Sequence, residues 1–264
     1  MAQTDWKQLT TDVVSLLKEA RRQVIAQMNQ SLTVDQKTSR KDLVTNVDKA
    51  NEQFLIGGIR NLDPDARVLG EEGFGDQLTS MAGRVWIVDP IDGTMNFVKQ
   101  HDNFAMMIGI YQDGVGQLGF IYDVMADVLY FGGPQLGGVW ANEDPLSAPA
   151  NLALSEGLIG MSAPLVIHDV AHTQAIVHVS AGMRVYGSAG IEIINILRGK
   201  TLGYISQLKP WDIAAGQILL NTLGVQVSAI DGQPLDMLSS NLVLVATEQA
   251  QRDILRIEED DVSL

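Results

Sequence analysis

Residues 86–94 have the sequence Trp-Ile-Val-Asp-Pro-Ile-Asp-Gly-Thr. An apolar run ends there at two carboxylates three residues apart, Asp89 and Asp92, and Gly93 and Thr94 follow directly. Because residues 85–88 are apolar at consecutive positions, we expect a strand that is buried on both faces. The flanking sequence therefore has to supply elements that cover both sides of this strand.

Two amphipathic helices are predicted before the motif. Apolar residues recur at helical spacing over residues 9–28 and again over residues 47–62. The polar stretch between them, residues 31–42, predicts a loop. A short strand is expected at residues 67–69, immediately before a Gly-Glu-Glu sequence.

The sequence after the motif predicts an antiparallel meander. Apolar segments alternate there with turn residues such as Asp113-Gly114. The predicted strands are residues 104–111, 115–122, 128–131 and 138–141.

Shorter alternating units follow residue 142, where the composition changes. The predicted strands are residues 159–161, 225–227 and 242–245, and the predicted helices are residues 189–197, 212–223 and 249–257. The whole pattern indicates a layered α/β protein with two subdomains, residues 1–142 and residues 143–264.

Composition and charge narrow the possible function. The formal net charge of −14 argues against nucleic-acid and anionic-membrane surfaces, which need clustered Lys and Arg. The chain has no Cys, which excludes a thiol nucleophile and a thiolate metal site. No basic-then-apolar leader pattern or membrane-length apolar run is present, so we expect a cytoplasmic protein.

Four acidic residues could form one metal site. Glu71 follows the short strand, Asp89 and Asp92 end the buried strand, and Asp212 begins a predicted helix. Mg²⁺ prefers oxygen ligands, and the Ile91 carbonyl adds another oxygen. Two divalent cations would cancel the four negative charges, whereas without cations the carboxylates would raise one another's pKa.

Gly93 and Thr94 fit the other half of a phosphate-handling site. If a helix starts there, its free N–H groups would favour an anion. Asp-Pro and Asp-Gly are also common turn formers, and Glu71-Glu72 could be a solvated edge. Acidic residues occur in three separate segments, at Glu71-Glu72, at Asp89 and Asp92, and at Asp212. Their combination favours the metal site over these simpler interpretations.

The sequence resembles the inositol monophosphatase family over nearly its whole length. The resemblance rests on Gly70-Glu71-Glu72, on residues 86–97 and on residues 209–216 (Lys-Pro-Trp-Asp-Ile-Ala-Ala-Gly), with weaker support from residues 37–48 and 186–190. It implies a layered αβαβα sandwich of the sugar phosphatase type and hydrolysis of a phosphate monoester by direct attack of a metal-activated water. It also implies a homodimer, inhibition by Li⁺, and two or three Mg²⁺ ions per subunit.

Carried over by position, the resemblance implies a role for individual residues. Glu71, Thr94 and Asp48 match catalytic positions, and the Thr94–Asp48 pair would orient the attacking water. Lys37 and Glu72 match neighbours of the metal cage. The family's metal ligands match Glu71, Asp89, Ile91, Asp92 and Asp212. The substrate-binding positions match Asp92, Gly93, Thr94, Ser188, Ala189 and Asp212.

One departure leaves the substrate open. Inositol-specific members carry a Glu shortly before Trp-Asp. Here residues 203–209 contain no acidic residue. The segment is also one residue shorter than in those relatives. We expect a small sugar or polyol phosphate of the inositol-1-phosphate type. The alternatives are a bisphosphate substrate (fructose 1,6-bisphosphate, a 3′,5′-bisphosphonucleotide or NADP) and a non-catalytic regulatory member. A regulatory member should lack some of the metal ligands, whereas every residue matched to a metal ligand is present here.

Overall fold

The computed structural model describes residues 4–28, 32–37 and 43–259. Within the predicted loop at residues 31–42, residues 31 and 38–42 lie outside the described residues. Residues 34–36 form a short strand, so the prediction of a loop is wrong there: pairing with residues 43–45, which the local polar sequence does not reveal, makes them a strand. The helices are α1 (Trp6–Met28), α2 (Asn46–Leu62), α3 (Thr94–Gln100), α4 (Ala163–Ile167), α5 (Thr173–Val179), α6 (Ala189–Leu197), α7 (Pro210–Thr222) and α8 (Glu248–Glu259). The strands are β1 (Val34–Gln36), β2 (Leu43–Thr45), β3 (Arg67–Gly70), β4 (Arg84–Asp92), β5 (Ala105–Gln112), β6 (Val115–Asp123), β7 (Val128–Gly133), β8 (Gly138–Ala141), β9 (Asp144–Pro145), β10 (Leu158–Met161), β11 (Gly182–Arg184), β12 (Gly203–Leu208), β13 (Gln226–Ala229) and β14 (Asn241–Ala246).

Two large sheets dominate the described part of the chain. The seven-stranded sheet has the order β3-β4-β5-β6-β7-β8-β9, and only its β3–β4 pair is parallel. The predicted meander is thus confirmed. The five-stranded sheet has the order β11-β10-β12-β14-β13, while β1 and β2 form a separate ribbon. Strand β12, the central strand of the second sheet, has no counterpart among the predicted strands.

Alternating side chains explain how these sheets are layered. On β4, Trp86 and Val88 face a core shared with α1 and α2, whereas Val85 and Ile87 face a core shared with α6 and α7. Side chains on successive strand residues point to opposite faces, so a strand that is apolar throughout must be covered on both.

The second sheet repeats this arrangement. Val243 and Val245 on β14 belong to the core around α6 and α7. Leu244 and Ala246 belong to a third core, which also contains residues of α4, α5 and α8. The layers are therefore α1–α2, sheet, α6–α7, sheet, and α4–α5–α8, which confirms the predicted αβαβα sandwich. The proposed boundary at residue 142 stays a prediction.

A pair of glycines lets α7 approach the seven-stranded sheet closely. Gly109 and Gly119 are directly opposite each other on β5 and β6. A Cβ atom at Gly119 would lie 2.4 Å from the Ala215 carbonyl oxygen, so no larger residue fits there without movement of the backbone. Tyr111 Oη also donates a hydrogen bond of 2.9 Å to the Ala214 carbonyl. This close packing brings the first turn of α7 to the end of β4.

In the described residues, no helix has both the length and the apolar character needed to cross a membrane.

Candidate active site

A β-bulge at the end of β4 turns two carboxylates into one cluster. Asp89 pairs with Met107 and Asp92 with Ala105, so three steps along β4 correspond to two along β5. In a regular strand, residues three positions apart point to opposite faces, and the extra residue of a bulge corrects this. Pro90 lies inside the bulge, where its missing N–H costs no ladder hydrogen bond.

A carboxylate cluster is formed by Asp89, Asp92 and Asp212. One oxygen atom from each lies within 4.8 Å of the others. Asp212 is the third residue of α7 and its Oδ2 accepts a hydrogen bond of 2.7 Å from the Lys209 N–H, which caps the helix. Pro210 at the helix start needs no N–H partner. Local capping and close packing of α7 therefore fix the third carboxylate.

The electrostatics of this cluster favour a bound cation. Burial raises the pKa of Asp89 well above its ordinary value, and the nearby charges of Glu71, Asp92 and Asp212 raise it further. Burial and the charge of Asp92 raise the pKa of Asp212 in the same way. Several hard oxygen atoms that repel one another in a small volume are a donor set that suits Mg²⁺.

Asp92 links the two halves of the chain. Its carboxylate accepts hydrogen bonds from the Ser188 hydroxyl, from the Ala189 N–H at 3.0 Å and from the Gly190 N–H at 2.7 Å. These donors form the start of α6, where the helix dipole also favours negative charge. Burial raises the pKa of Asp92, while the bonds from Ser188, Gly190 and Ala189 lower it.

Glu71, Glu72 and Lys37 lie together at the edge of the cluster. Lys37 Nζ is 2.9 Å from Glu71 Oε1 and 2.6 Å from Glu72 Oε1. Burial lowers the pKa of Lys37, but the two glutamates outweigh this and hold it above its ordinary value. Burial raises the pKa of Glu71, and Lys37 partly offsets that rise.

Thr94 and Asp48 form a hydrogen-bonded pair beside the cluster. Thr94 Oγ1 lies 2.9 Å from Asp48 Oδ1 and 3.2 Å from the Ile91 carbonyl oxygen. Asp48 is fully buried in the first turn of α2, and its Oδ2 accepts the Thr45 N–H at 3.0 Å. Helix α3 begins at Thr94, after Gly93 in the left-handed conformation at φ 88°. A side chain at Gly93 would be strained and would also meet Ser188.

These residues surround a small open cavity of about 200 Å³. Its lining is Leu43, Glu71, Asp89, Ile91, Asp92, Gly93, Thr94, Met95, Gly187 and Asp212. A larger groove of about 1020 Å³ runs beside α1 and β7, but it contains none of the predicted site residues. The small cavity is therefore identified as the candidate site by the acidic residues that line it and not by its volume.

Two polar residues of α2 were missed by the sequence analysis. Asn51 Nδ2 donates 2.7 Å to the Pro90 carbonyl, and the buried Glu52 carboxylate accepts the N–H groups of Glu72 and Phe74. Together with Asp48, they occupy positions i, i+3 and i+4 of the helix face that also buries Leu55 and Ile59. Three polar residues on a buried stripe were the available signal.

Comparison with known proteins identifies the family. The model of the Inositol monophosphatase family matches residues 5–261. The chain belongs to the inositol monophosphatase family. It is 39% identical over 258 residues to the inositol-1-monophosphatase of Bacillus subtilis (strain 168), covering 95% of this chain and 96% of the relative. It is accordingly a phosphoric monoester hydrolase of the inositol monophosphatase type.

Solved structures of family members superpose over nearly the whole chain. The structure of SaIMPase-II with bound inositol monophosphate is 36% identical, with a TM-score of 0.83 and coverage of 94% of this chain and 92% of that one. The IMPase/NADP phosphatase complexed with Mg²⁺ and phosphate is 28% identical, with a TM-score of 0.89 and 97% coverage of both chains.

Proposed function

We propose that this protein is a Mg²⁺-dependent phosphomonoesterase that hydrolyses a small sugar or polyol phosphate of the inositol-1-phosphate type. The observation that carries the proposal is the cluster of Asp89, Asp92 and Asp212 oxygens within 4.8 Å of one another. The inositol monophosphate bound to SaIMPase-II and the Mg²⁺ and phosphate bound to the IMPase/NADP phosphatase support it.

The proposed metal ligands are the carboxylates of the cluster, the Glu71 carboxylate and the Ile91 carbonyl. We propose two or three ions per subunit. Bound Mg²⁺ would supply Lewis-acid polarisation of the phosphoryl group and would make a water molecule a stronger nucleophile.

The Thr94–Asp48 pair is proposed to orient this water for direct attack on phosphorus, with Glu71 beside it. Because the Thr94 hydroxyl donates to Asp48 Oδ1, its lone pairs are left to accept a hydrogen bond from the cleft. Asp48 is held in turn by the Thr45 N–H, so the Thr94 hydroxyl has a fixed direction.

The substrate's phosphate is proposed to lie against Gly93 and Thr94, which line the cavity. Ser188 and Ala189 bond the carboxylate of Asp92, so we propose that they contribute by fixing Asp92 and the cavity wall. Lys37 and Glu72 are proposed as loop contributors that set the charge near Glu71.

A bisphosphate substrate is the second candidate, and β12 gives the reason. The side chain of Gln207 is exposed and donates 2.8 Å to Ser240 Oγ, and residues 203–209 present no carboxylate toward a substrate hydroxyl. A site without that hydrogen-bonding group discriminates less between leaving alcohols. A purely regulatory role is disfavoured because every residue matched to the cage is present.

The decisive experiment is phosphate release from a panel of esters, with Mg²⁺ or with chelator. The panel contains inositol 1-phosphate, fructose 1,6-bisphosphate, NADP and a 3′,5′-bisphosphonucleotide. We expect Mg²⁺-dependent release, with the largest kcat/KM for inositol 1-phosphate. A preference for a bisphosphate would replace the substrate assignment, and chelator-resistant release would contradict the metal assignment.

Three further properties are proposed, two from the family relationship and the third from the change in composition after residue 142. They are inhibition by Li⁺, assembly as a homodimer and a subdomain boundary near residue 142. Inhibition of the same phosphate-release assay by LiCl tests the first, and analytical ultracentrifugation tests the second. Limited proteolysis near residue 142 tests the third.

A further inference from the structure

We propose that Glu52 is a positioning residue that fixes the Glu71-Glu72 turn at the metal site. Its carboxylate would do so by holding the backbone on both sides of Glu71. This inference rests on the proposed function, since it assigns Glu52 a part in preparing the site for Mg²⁺.

The contacts of Glu52 are with the backbone of the turn. Its side chain is fully buried, Oε2 accepts the Glu72 N–H at 2.6 Å, and Oε1 accepts the Phe74 N–H at 2.9 Å. Hydrogen bonds from backbone N–H groups to a carboxylate are stronger than those between neutral groups. One side chain therefore occupies two donors of the segment that carries Glu71.

Gly70 brings the other end of the turn against the same carboxylate. A Cβ atom at Gly70 would lie 2.6 Å from Glu52 Cδ, so only bare backbone fits at this position with the carboxylate in place. Glu71 thus stands between Gly70, which packs on Glu52, and Glu72, which donates to it. A residue held on both sides has little freedom to move away from Asp89.

Helix α2 connects this turn with the rest of the site. Asp48 bonds Thr94, Asn51 bonds the Pro90 carbonyl in the bulge, and Glu52 bonds the Glu72 N–H. Because one rigid helix carries all three, it sets the distance between the β3 turn and the end of β4. Glu52 is the member of this set that holds the turn carrying Glu71, the glutamate proposed to bind metal.

The test is direct Mg²⁺ binding by isothermal titration calorimetry, without substrate, to Glu52→Gln and to wild type. An amide supplies one acceptor and one donor, so one backbone N–H of the turn would face another donor. We expect the Mg²⁺ Kd to rise about tenfold or more, as is usual when the partner of a metal ligand is lost. At saturating Mg²⁺, turnover should recover to within about threefold of wild type, because the Thr94–Asp48 pair is untouched and bound Mg²⁺ would hold Glu71 in its place.

The matched control is Ile56→Val, which trims a buried side chain one turn further along α2. It should lower the melting temperature while leaving the Mg²⁺ Kd within about twofold of wild type. If Glu52→Gln also binds Mg²⁺ within twofold of wild type, Glu52 is only a structural residue and the inference is wrong.

A second variant covers the case in which Glu52→Gln does not fold. Gly70→Ala keeps the carboxylate and pushes it off the turn, and it should weaken Mg²⁺ binding in the same direction. Its control is Gly57→Ala, where a Cβ atom meets nothing within 4 Å. Unchanged Mg²⁺ binding by folded Gly70→Ala would overturn the inference. Failure of wild type itself to bind Mg²⁺ would instead overturn the proposed function.

Discussion

The cavity around the carboxylate cluster, called the acidic cleft below, has one wall formed by α2 and another formed by α6 and α7. The two walls hold the polar groups of the site by different kinds of hydrogen bond. On the α2 wall, the side chains of Asp48, Asn51 and Glu52 reach across to neighbouring backbone and hydroxyl groups. On the α6–α7 wall, backbone N–H groups at helix starts hold Asp92 and Asp212. Any substitution can remove a side-chain hydrogen bond, whereas only substitution by Pro removes a backbone N–H. The first wall should therefore be sensitive to polar substitutions and the second to changes in packing.

Substitution at Asp89, which lies between the two walls, should have the largest effect. Asp89→Asn removes a proposed metal ligand, so we expect turnover to fall by more than about a hundredfold. The same change relieves repulsion with Glu71, Asp92 and Asp212, so the melting temperature in chelator should not fall. Steady-state kinetics and thermal unfolding measure the two effects. Near-normal turnover would contradict the proposed role of Asp89.

Gly119→Val tests the packing of the α6–α7 wall. The new side chain would meet the backbone of α7 at Ala215, which cannot move away cheaply. We expect the free energy of unfolding to fall by about 3 kcal/mol, as for severe overpacking. The Mg²⁺ Kd should also rise, because Asp212 lies on the displaced helix.

Urea denaturation and Mg²⁺ titration measure the two effects of Gly119→Val. The control is Val115→Ala, which changes an exposed side chain on the same strand. A shift in stability without any shift in Mg²⁺ Kd would separate α7 packing from the site.

Glu192, like Ser188, is a buried side chain on which the α6–α7 wall depends. Its Oε1 accepts the Tyr186 N–H at 2.9 Å, and burial raises its pKa from 4.5 to about 7. Below pH 4.5 the carboxyl is protonated in both states, and between pH 4.5 and 7 the unfolded chain releases this proton first. Its contribution to the free energy of unfolding should therefore fall by about 3 kcal/mol across that window and stay constant above it.

Urea denaturation of wild type and Glu192→Gln at a series of pH values isolates this contribution. The stability of wild type relative to the variant should decrease from pH 4.5 to pH 7. A flat difference would show that Glu192 ionises in the folded protein as it does in the unfolded chain.

Thr94→Val tests a single contact of the α2 wall and should have the smallest effect. Val keeps the shape of Thr but leaves Asp48 Oδ1 without the hydroxyl donor. We expect turnover to fall about tenfold to a hundredfold, with little change in the Mg²⁺ Kd. Thr94→Ser keeps the hydroxyl and is the matched control. Equal losses in Ser and Val variants would point to packing of the lost methyl group rather than to the hydroxyl.

Apolar periodicity was sufficient to predict most of the fold. The predicted helix at residues 189–197 matches α6, and the buried strand at residues 85–88 lies within β4. Strand β12 was missed because Gly203, Ser206 and Gln207 interrupt its apolar pattern, although Ile205 on it is fully buried. Its pairing with β10 and β14, which no local pattern reveals, makes it a central strand.

The sequence predicted the residues that form the candidate site better than the residues that hold them in place. The carboxylates are recognisable because the proposed Mg²⁺ site would require oxygen ligands, and the structure places three of them together. The supporting roles of Glu52 and of Gly109 depend on which backbone lies opposite each residue. These contacts arise from tertiary packing, so a single sequence shows only that a polar residue or a glycine is present.

The bulge in β4 also constrains how this sequence can vary in length. Substitutions at Ile91 change one side chain, whereas loss of one residue between Asp89 and Asp92 would remove the bulge itself. Gain of one residue there, with the bulge kept, would shift the two-residue alternation of side chains by one position. One of the two carboxylates would then point away from the cleft. The segment is therefore a spacer of fixed length, in which insertions and deletions should be eliminated far more strictly than replacements.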